Sequence, residues 1–174
     1  MANPVAIFGG TFDPIHFGHL RLAQELAELL RVDEVRFTPG GQPPHRASPQ
    51  VTALQRLDMA RLAIADNPLF RIDDREVRRK GPGYTFDTLS EVRQEIGPTR
   101  PLCLFLGADA FLDFATWHRW HDLFDLTHIV VAHRPRFPPE SWISRMPEPL
   151  AREYEARLMH QPFAVHLAPA GGIV

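Results

Sequence analysis

The sequence predicts an α/β fold in which a doubly wound parallel sheet lies between two layers of helices, a three-layer α/β/α architecture. Short apolar runs bounded by glycine or proline alternate with stretches whose apolar residues recur at helical spacing. This alternation is typical of a parallel sheet with helical crossovers. Residues 102–106 form a continuous apolar run like those of strands buried on both faces. A chain of 174 residues fits one domain, so we assign residues 1–174 to a single domain with one core.

The first half of the chain is predicted to supply three strands and two helices. In chain order we expect a strand at 5–8, a helix at 20–30, a strand at 35–37, a helix at 51–66 and a strand at 70–72. Gly9 and Gly10 are expected to turn the chain after the first strand, and Asn67-Pro68 to end the second helix. This order gives crossovers that are almost always right-handed. The charged segment 73–80 is predicted to be a solvated connection.

The second half is predicted to add helices, two buried strands and a more irregular end. Thr85 is expected to cap the next helix through its hydroxyl, and Gly97 to stop that helix. The later elements are expected to be a strand at 102–106, a short helical region containing Trp117 and Trp120, a strand at 129–132, a proline-rich surface excursion at 135–149, a helix at 150–159 and a strand at 165–167.

Composition and charge argue against several classes of protein. The formal net charge is −2, whereas general nucleic-acid binders carry a strongly basic face, so we expect no nucleic-acid partner. No apolar stretch approaches the roughly 18 residues of a membrane span, and no signal-like segment begins the chain. We therefore expect no membrane association and a cytoplasmic location. Cys103, the single cysteine, is expected to pack as a buried hydrophobe without a disulfide partner.

Four segments rich in turn-forming or polar residues directly follow predicted strands: 9–10, 39–46, 107–109 and 133–134. In a doubly wound sheet the carboxyl ends of the strands meet at one edge, and ligands bind there near the point where the strand order reverses. We therefore expect these segments to gather around one site. Since Lys80 is the only lysine in the chain, an anion in this site would meet arginine, histidine or backbone N–H groups.

The segment after the first strand is typical of a phosphate-binding turn. Gly9 and Gly10 allow backbone N–H groups to approach an anion closely, and the following helix adds its positive end. His16 and His19 flank Gly18, so their rings can point the same way with no Cβ between them. The segment is neither a G-x-G-x-x-G fingerprint nor a lysine-containing Walker A loop.

Two other interpretations of these histidines remain open. In the first, His16 and His19 only cap a helix after a tight glycine turn. In the second, they bind a metal ion, because the pairs His16–His19 and His118–His121 both have ligand-like spacing. No carboxylate or cysteine lies at a recurring metal-site spacing, so we expect no metal ion held by the protein alone.

The segment Gly-Gly-Thr-Phe-Asp-Pro-Ile-His-Phe-Gly-His at 9–19 resembles the G-G-T-F-D-P-x-H-x-G-H motif of bacterial nicotinate-nucleotide adenylyltransferases. These enzymes belong to the HxGH nucleotidyltransferase superfamily. The histidine pair alone indicates only that superfamily, which includes pantetheine-phosphate adenylyltransferases and cytidylyltransferases. Further blocks resemble the narrower family in its own order, at 43–46, 83–89, 106–109, 116–118 and 133–135. The resemblance thus covers essentially the whole chain.

The resemblance implies a Rossmann-like nucleotidyltransferase of NAD biosynthesis. Its reaction would transfer AMP from ATP to nicotinic acid mononucleotide, which gives nicotinic acid adenine dinucleotide and pyrophosphate. The mononucleotide phosphate would attack the α-phosphorus in line, so positioning and charge stabilisation would dominate catalysis. Mg²⁺ would be carried with ATP and keep several waters. The expected partners are thus ATP and nicotinic acid mononucleotide, and the sequence leaves the formation of a homo-oligomer open.

The resemblance also implies roles for individual residues. His16 and His19 would be catalytic, because they would hold the triphosphate and stabilise charge on the transferred phosphoryl group. Around ATP we expect His16, His19, Gly9, Gly10, Thr11, Phe12, Gly107, Asp109 and Arg134. Around the mononucleotide we expect His45, Arg46, Tyr84, Thr85 and Trp117. The indole of Trp117 would stack on the pyridine ring, and backbone N–H groups would receive its carboxylate.

One block of the family has no counterpart in this sequence. Members normally continue to an I-S-x-T-x-x-R block whose Ser, Thr and Arg help bind the ATP phosphates. Here the sequence ends at Val174 without it, so we expect a domain truncated before its final strand and helix. Two kinds of alternative function remain open: a pantetheine-phosphate or nicotinamide-mononucleotide adenylyltransferase within the same superfamily, and, because this block is missing, a catalytically silent nucleotide-binding module.

Overall fold

The computed structural model describes residues 3–41, 51–133 and 138–174. Within these ranges a five-stranded sheet has the order β3-β2-β1-β4-β5, and every neighbouring pair is parallel. The strands are β1 (Val5–Gly10), β2 (Glu34–Pro39), β3 (Phe70–Ile72), β4 (Leu102–Gly107) and β5 (His128–Ala132). The chain winds outward from β1 in both directions, which confirms the expected doubly wound α/β fold.

Helices cover both faces of this sheet. They are α1 (Phe17–Leu30), α2 (Ala53–Ile64), α3 (Arg75–Arg78), α4 (Thr85–Ile96), α5 (Ala108–Leu112), α6 (Leu123–Leu126) and α7 (Glu148–Arg157), joined by short 3-10 turns. In the described part of the chain, no helix combines the length and the apolar character needed to cross a membrane.

Two apolar clusters lie on opposite faces of the sheet, because successive strand residues point to opposite sides. Val5 and Ile7 belong to one cluster, with apolar residues of α4, α5, α6 and α7. Ala6 and Phe8 belong to the other, with residues of α1 and α2. Cys103 is fully buried in this second cluster, as predicted, and burial raises its pKa to about 12. The three-layer architecture is therefore confirmed.

Small side chains bring α1 close to the sheet. Ala23 and Ala27 are buried together with Leu30 at the end of the helix. Arg31 then adopts a left-handed conformation with φ of 50°, and its backbone N–H donates to the carbonyl groups of Ala27 and Glu28, an arrangement that ends helices. Because α1 follows β1 along the chain, the N-terminus of the helix lies at the carboxyl edge of the sheet.

The charged segment 73–80 is not the solvated connection that the sequence predicted. It contains α3, and the side chain of Arg75 is only 16% exposed. Its guanidinium contacts Asp73 at 2.8 Å, Glu91 at 3.3 Å and Glu95 at 2.8 Å. Because two of these carboxylates belong to α4, the arginine fixes α3 against that helix instead of facing solvent.

Two residues anchor the predicted surface excursion at 135–149 to the core, in the part that the structure describes. Trp142 is 2% exposed and Met146 is buried. The indole ring of Trp142 lies 6.2 Å from the ring of Phe111 and 6.3 Å from that of Tyr154. Most of the other described residues of this segment are exposed, so the segment is a surface excursion held to the core by two buried side chains.

Residues 165–167 do not form the predicted strand. They lie in and just after a 3-10 helix, Pro162–His166, in which the buried His166 ring bonds through Nε2 to the carbonyl oxygen of Leu30 at 2.8 Å. Residues 172–174 instead make the backbone hydrogen bonds to β5. The N–H of Ile129 donates to the carbonyl of Gly172, and the N–H of Val131 donates to that of Val174.

Candidate active site

A cavity of about 640 Å³ opens at the carboxyl edge of the sheet. The predicted site residues that line it are Gly9, Gly10, Thr11, Tyr84, Thr85, Gly107 and Trp117. The cavity lies at the ends of β1 and β4, between which the strand order reverses. This is the position at which doubly wound sheets bind ligands.

The remaining predicted site residues fall into two groups. His16 and His19 lie at the start of α1, Phe12 is buried with its ring 5.1 Å from that of His19, and Asp109 is exposed in the first turn of α5. None of these four is part of the cavity lining. Arg134, His45 and Arg46 lie outside the described residues.

Gly9 and Gly10 do not make the turn expected of them. Both belong to β1 and pair with the last residues of β2, and neither has a positive φ. Gly10 instead provides space, because a Cβ there would lie 3.0 Å from the ring of Phe12. The turn begins only at Phe12, which has φ of 48°, and it contains a cis peptide bond between Asp13 and Pro14.

His16 and His19 form a reciprocal cap at the start of α1. The Nδ1 atom of His16 accepts a hydrogen bond from the backbone N–H of Gly18 at 3.1 Å, and Nδ1 of His19 accepts one from the backbone N–H of His16 at 3.2 Å. The two rings stack with their centroids 3.8 Å apart. A Cβ on Gly18 would lie 3.0 Å from the ring of His16. Both histidines therefore cap α1, and the cap fixes both rings.

The cap determines what the two rings offer to a ligand. Because each Nδ1 accepts a backbone N–H, the proton of each neutral imidazole lies on Nε2, which can donate to an anion. Burial, and then the neighbouring His16, lower the pKa of His19 to about 4. His19 is therefore neutral at physiological pH and offers a hydrogen-bond donor instead of a positive charge.

The second histidine pair serves aromatic packing. The ring of His118 stacks on Tyr84 with centroids 4.3 Å apart, and the ring of His121 lies 3.7 Å from that of Trp120. Across the three described ranges, no group of three or more His, Cys, Asp or Glu side chains is placed to hold a metal ion.

The start of α4 forms part of the cavity wall. Thr85 does not cap this helix as predicted, because it is the first helical residue and Tyr84 holds the capping position. No side chain makes a capping hydrogen bond there. An uncapped helix start leaves its first N–H groups available to an anion, which the helix dipole also favours.

Trp117 contributes an aromatic surface to the same cavity. Its ring lies 5.2 Å from that of Phe114, and the side chain packs as a partly buried member of the larger core around β1 and β4. The indole thus joins the core on one side and lines the cavity as well.

Arg56 supports the site from outside the cavity lining, a role that was not predicted. The residue is 1% exposed, and its guanidinium donates to the carbonyl oxygens of Thr11 at 2.5 Å and of Gly41 at 2.6 Å. The pairing of β1 with β2 ends just before these two residues. Arg56 therefore joins the two segments that follow the strands, beyond their last paired residues. A signal existed, because Arg56 shares the buried face of α2 with Ala60 and Ile64.

Glu76, Thr88, Asp113 and His118 also line the cavity and were not predicted. Burial, the largest influence, raises the pKa of Glu76 to about 6. No local pattern could have revealed this carboxylate, because its burial depends on the attachment of α3 to α4.

Comparison with known proteins agrees with this geometry. Over residues 7–165 the chain matches the cytidylyltransferase-like family. A protein of Dechloromonas aromatica (strain RCB) named "Probable nicotinate-nucleotide adenylyltransferase" is 53% identical over 174 residues, which span 100% of this chain and 79% of that protein. A nicotinate-nucleotide adenylyltransferase of Escherichia coli O6:H1 is 44% identical over 174 residues, 99% of this chain and 79% of the relative.

A solved structure supports the fold independently. Plasmodium falciparum nicotinic acid mononucleotide adenylyltransferase complexed with NaAD aligns with a TM-score of 0.67 at 21% identity, over 83% of this chain and 72% of that one. At such low identity the likeness concerns the fold alone. Together with the two much closer relatives, it leads to one conclusion: the chain belongs to the cytidylyltransferase-like family and, within it, to the nicotinate-nucleotide adenylyltransferases.

Proposed function

We propose that this chain transfers AMP from ATP to nicotinic acid mononucleotide and forms nicotinic acid adenine dinucleotide and pyrophosphate. The names of its relatives point to this reaction. One observation on this chain's own residues carries the proposal. The uncapped start of α4, Trp117 and the end of β1 all line the same cavity. This combination suits a ligand with an aromatic carboxylate at one end and a phosphate at the other.

The nicotinate ring binds at the start of α4. The indole of Trp117 stacks on the pyridine ring, and the backbone N–H groups of Thr85 and Phe86 receive the carboxylate. Both are donors only, so they favour a carboxylate over an amide, whose NH2 group would add a third donor. Tyr84, which is stacked on His118 at 4.3 Å, completes this part of the pocket.

The triphosphate of ATP binds between the end of β1 and the start of α1. His16 and His19 donate from Nε2 to its oxygens, and Phe12 supports the ring of His19. The residues assigned to ATP are completed by Gly9, Gly10, Thr11, Gly107, Asp109 and Arg134, and His45 and Arg46 are assigned to the substrate phosphate. The divalent ion is Mg²⁺, which arrives with the nucleotide as MgATP.

The reaction needs positioning more than acid-base chemistry. An oxygen of the mononucleotide phosphate forms a bond to the α-phosphorus of ATP while the bond from that phosphorus to its bridging oxygen breaks. Pyrophosphate leaves with the electron pair. The attacking phosphate is already ionised, so no proton has to move. Neutral His19 therefore acts by donating a hydrogen bond to charge that develops in the transition state, a contribution worth about 10²–10³-fold in rate.

Product analysis tests this proposal directly. The chain is incubated with MgATP and, in separate reactions, with nicotinic acid mononucleotide, nicotinamide mononucleotide or phosphopantetheine, and released pyrophosphate is measured. The fastest release is expected with nicotinic acid mononucleotide. Faster release with phosphopantetheine would assign the cavity to another reaction of the superfamily. Calorimetric nucleotide binding without any release would indicate a silent nucleotide-binding module.

A further inference from the structure

Glu76 occupies a fixed place in the cavity wall. It lies on α3, where the neighbouring Arg75 and Arg79 both pair with Glu91 of α4, at 3.3 Å and 2.7 Å. Thr88 of the same helix lines the cavity beside Glu76. The attachment of α3 to α4 therefore holds a carboxylate at the cavity surface.

The two carboxylate oxygens of Glu76 have different surroundings. The hydroxyl of Thr88 donates to Oε1 at 2.8 Å and accepts from the guanidinium of Arg79 at 3.1 Å. The single hydroxyl proton of Thr88 is thus committed to Glu76, which fixes the carboxylate plane. In the part of the chain that the structure describes, no donor bonds to the other oxygen, Oε2.

Glycines keep Oε2 accessible from the cavity. A Cβ on Gly83 would lie 3.3 Å from Oε2, and one on Gly40 would lie 3.8 Å from it. Both glycines line the cavity. A Cβ on Gly41 would lie only 2.6 Å from the backbone oxygen of Glu76. Side chains at these positions would cover or displace the carboxylate, so the wall is shaped around an open acceptor.

We propose that Oε2 of Glu76 binds a ribose hydroxyl of the mononucleotide substrate. This inference rests on the proposed function. A carboxylate oxygen that opens onto the cavity and is not bonded to a donor among the described residues can accept a hydrogen bond from a ligand. In ionised nicotinic acid mononucleotide the carboxylate and the phosphate only accept, so the 2′- and 3′-hydroxyls are its donors. Recognition of a ribose hydroxyl by a carboxylate is also the chemistry that dinucleotide-binding folds use.

The charge of Glu76 suits this role at neutral and mildly alkaline pH. Burial raises its pKa to about 6, Asp73 adds to the shift, and Arg79 and Arg75 oppose it. Above pH 7 the group is therefore mainly an ionised acceptor, and hydrogen bonds to ionised acceptors are the stronger ones.

The test compares nicotinic acid mononucleotide with its 2′-deoxy and 3′-deoxy analogues at pH 8. For the wild-type chain, kcat/KM is expected to fall about tenfold or more with at least one analogue. Glu76→Ala should reduce this discrimination to within about twofold of unity, and Glu76→Gln, which can still accept from Thr88, should reduce it in part. The proposal is overturned if the wild-type chain has the same kcat/KM for both analogues as for the natural substrate, and this result needs no variant. It is equally overturned if either Glu76 variant discriminates like wild type.

A further comparison tests whether Glu76 binds the ribose of ATP instead of that of the mononucleotide, and a control variant accompanies it. ATP also carries a ribose diol, so 2′-deoxy-ATP and 3′-deoxy-ATP are compared in wild type and Glu76→Ala. If Glu76→Ala changes the discrimination between ATP and its deoxy analogues but not the discrimination between the mononucleotides, Glu76 binds ATP and the proposal is overturned. Glu155→Gln is the control, because Glu155 is exposed on α7 and lies outside the cavity lining, and this variant should keep the wild-type ratio for the mononucleotide.

Calorimetry distinguishes failure of this inference from failure of the proposed function. A chain that releases no pyrophosphate contradicts the proposed reaction. Binding of nicotinic acid mononucleotide and of its deoxy analogues can still be measured on that chain. Equal dissociation constants for all three ligands would then contradict the role of Glu76 itself.

Discussion

Arg56 and Gly41 are joined by a hydrogen bond of 2.6 Å from the guanidinium to the backbone carbonyl oxygen. A second bond, to the carbonyl of Thr11, makes the same side chain a bridge between the segments that follow β1 and β2. Both segments contribute to the cavity wall. The arginine therefore replaces ladder hydrogen bonds at the point where the two strands diverge to form the site.

Arg56→Lys is expected to lower the free energy of unfolding by about 1–3 kcal/mol. A lysine ammonium lacks the fork geometry needed to reach both carbonyl groups, so one buried acceptor loses its partner. Urea unfolding measures the change. Arg61→Lys, on the same helix with a side chain 47% exposed, is the control and should change stability by less than about 0.5 kcal/mol. Equal effects of the two substitutions would contradict the bridge.

His19→Ala is expected to lower kcat by about 10²–10³-fold, because it removes a donor to the transferred phosphoryl group. The lost cap should cost only about 1 kcal/mol of stability, so the fold should survive. Pyrophosphate release and thermal unfolding are measured together. His121→Ala removes an exposed histidine outside the cavity lining and should leave both quantities close to wild type. Near-wild-type turnover of His19→Ala would remove the basis for its phosphate role.

His128 predicts a loss of stability in mild acid. Its buried ring bonds through Nε2 to the carbonyl of Ala168 at 2.8 Å and accepts at Nδ1 from the backbone N–H of Gly172 at 3.0 Å, which only the neutral form can do. Burial lowers the pKa of His128 below 6.5. Its contribution is thus fully present above pH 6.5 and is lost as the pH falls toward the folded-state pKa. Between pH 7.5 and 5, Tm should fall less steeply in His128→Asn than in wild type, and His160→Asn should retain the wild-type slope.

Glu76 predicts a pH dependence of opposite sign. Its pKa is raised from 4.5 to about 6 in the folded chain, so ionisation opposes folding above pH 6 and has no such effect below pH 4.5. Glu76→Gln should therefore raise Tm at pH 8, and the gain should disappear by pH 4.5. Glu155→Gln, at an exposed position of α7, should change Tm little at either pH. A lower Tm for Glu76→Gln at pH 8 would contradict the raised pKa.

The strands and the principal helices could be predicted because their signals are local. The apolar run at 102–106 lies within β4, and the helical spacing of Ala23, Ala27 and Leu30 marks the buried face of α1. Segment 73–80 was misread because its exposure depends on Glu91 and Glu95, which lie in another helix. Charge patterns along one segment do not report such distant partners.

The candidate site divides in the same way. Glycines and histidines after β1 marked the ligand-binding edge, but Gly9 and Gly10 proved to be strand residues and the histidines proved to cap α1. Glu76 gave no local signal, since it enters the cavity wall only when α3 packs on α4. The site residues that could not be predicted are therefore those whose position depends on packing between elements distant in the sequence.

The selectivity of the pocket for acid over amide tests the central claim most directly. It is measured as the ratio of kcat/KM for nicotinic acid mononucleotide to that for nicotinamide mononucleotide, in wild type and in Thr85→Pro. Proline is tolerated at the first position of a helix, and Tyr84 before it already has the extended conformation that proline requires, with φ of −79° and ψ of 134°. The substitution thus removes one N–H donor and keeps α4. We expect the wild-type chain to prefer the acid strongly and the ratio to fall about tenfold in Thr85→Pro. A wild-type ratio near one, or an unchanged ratio in the variant, would contradict the binding of nicotinate at the start of α4.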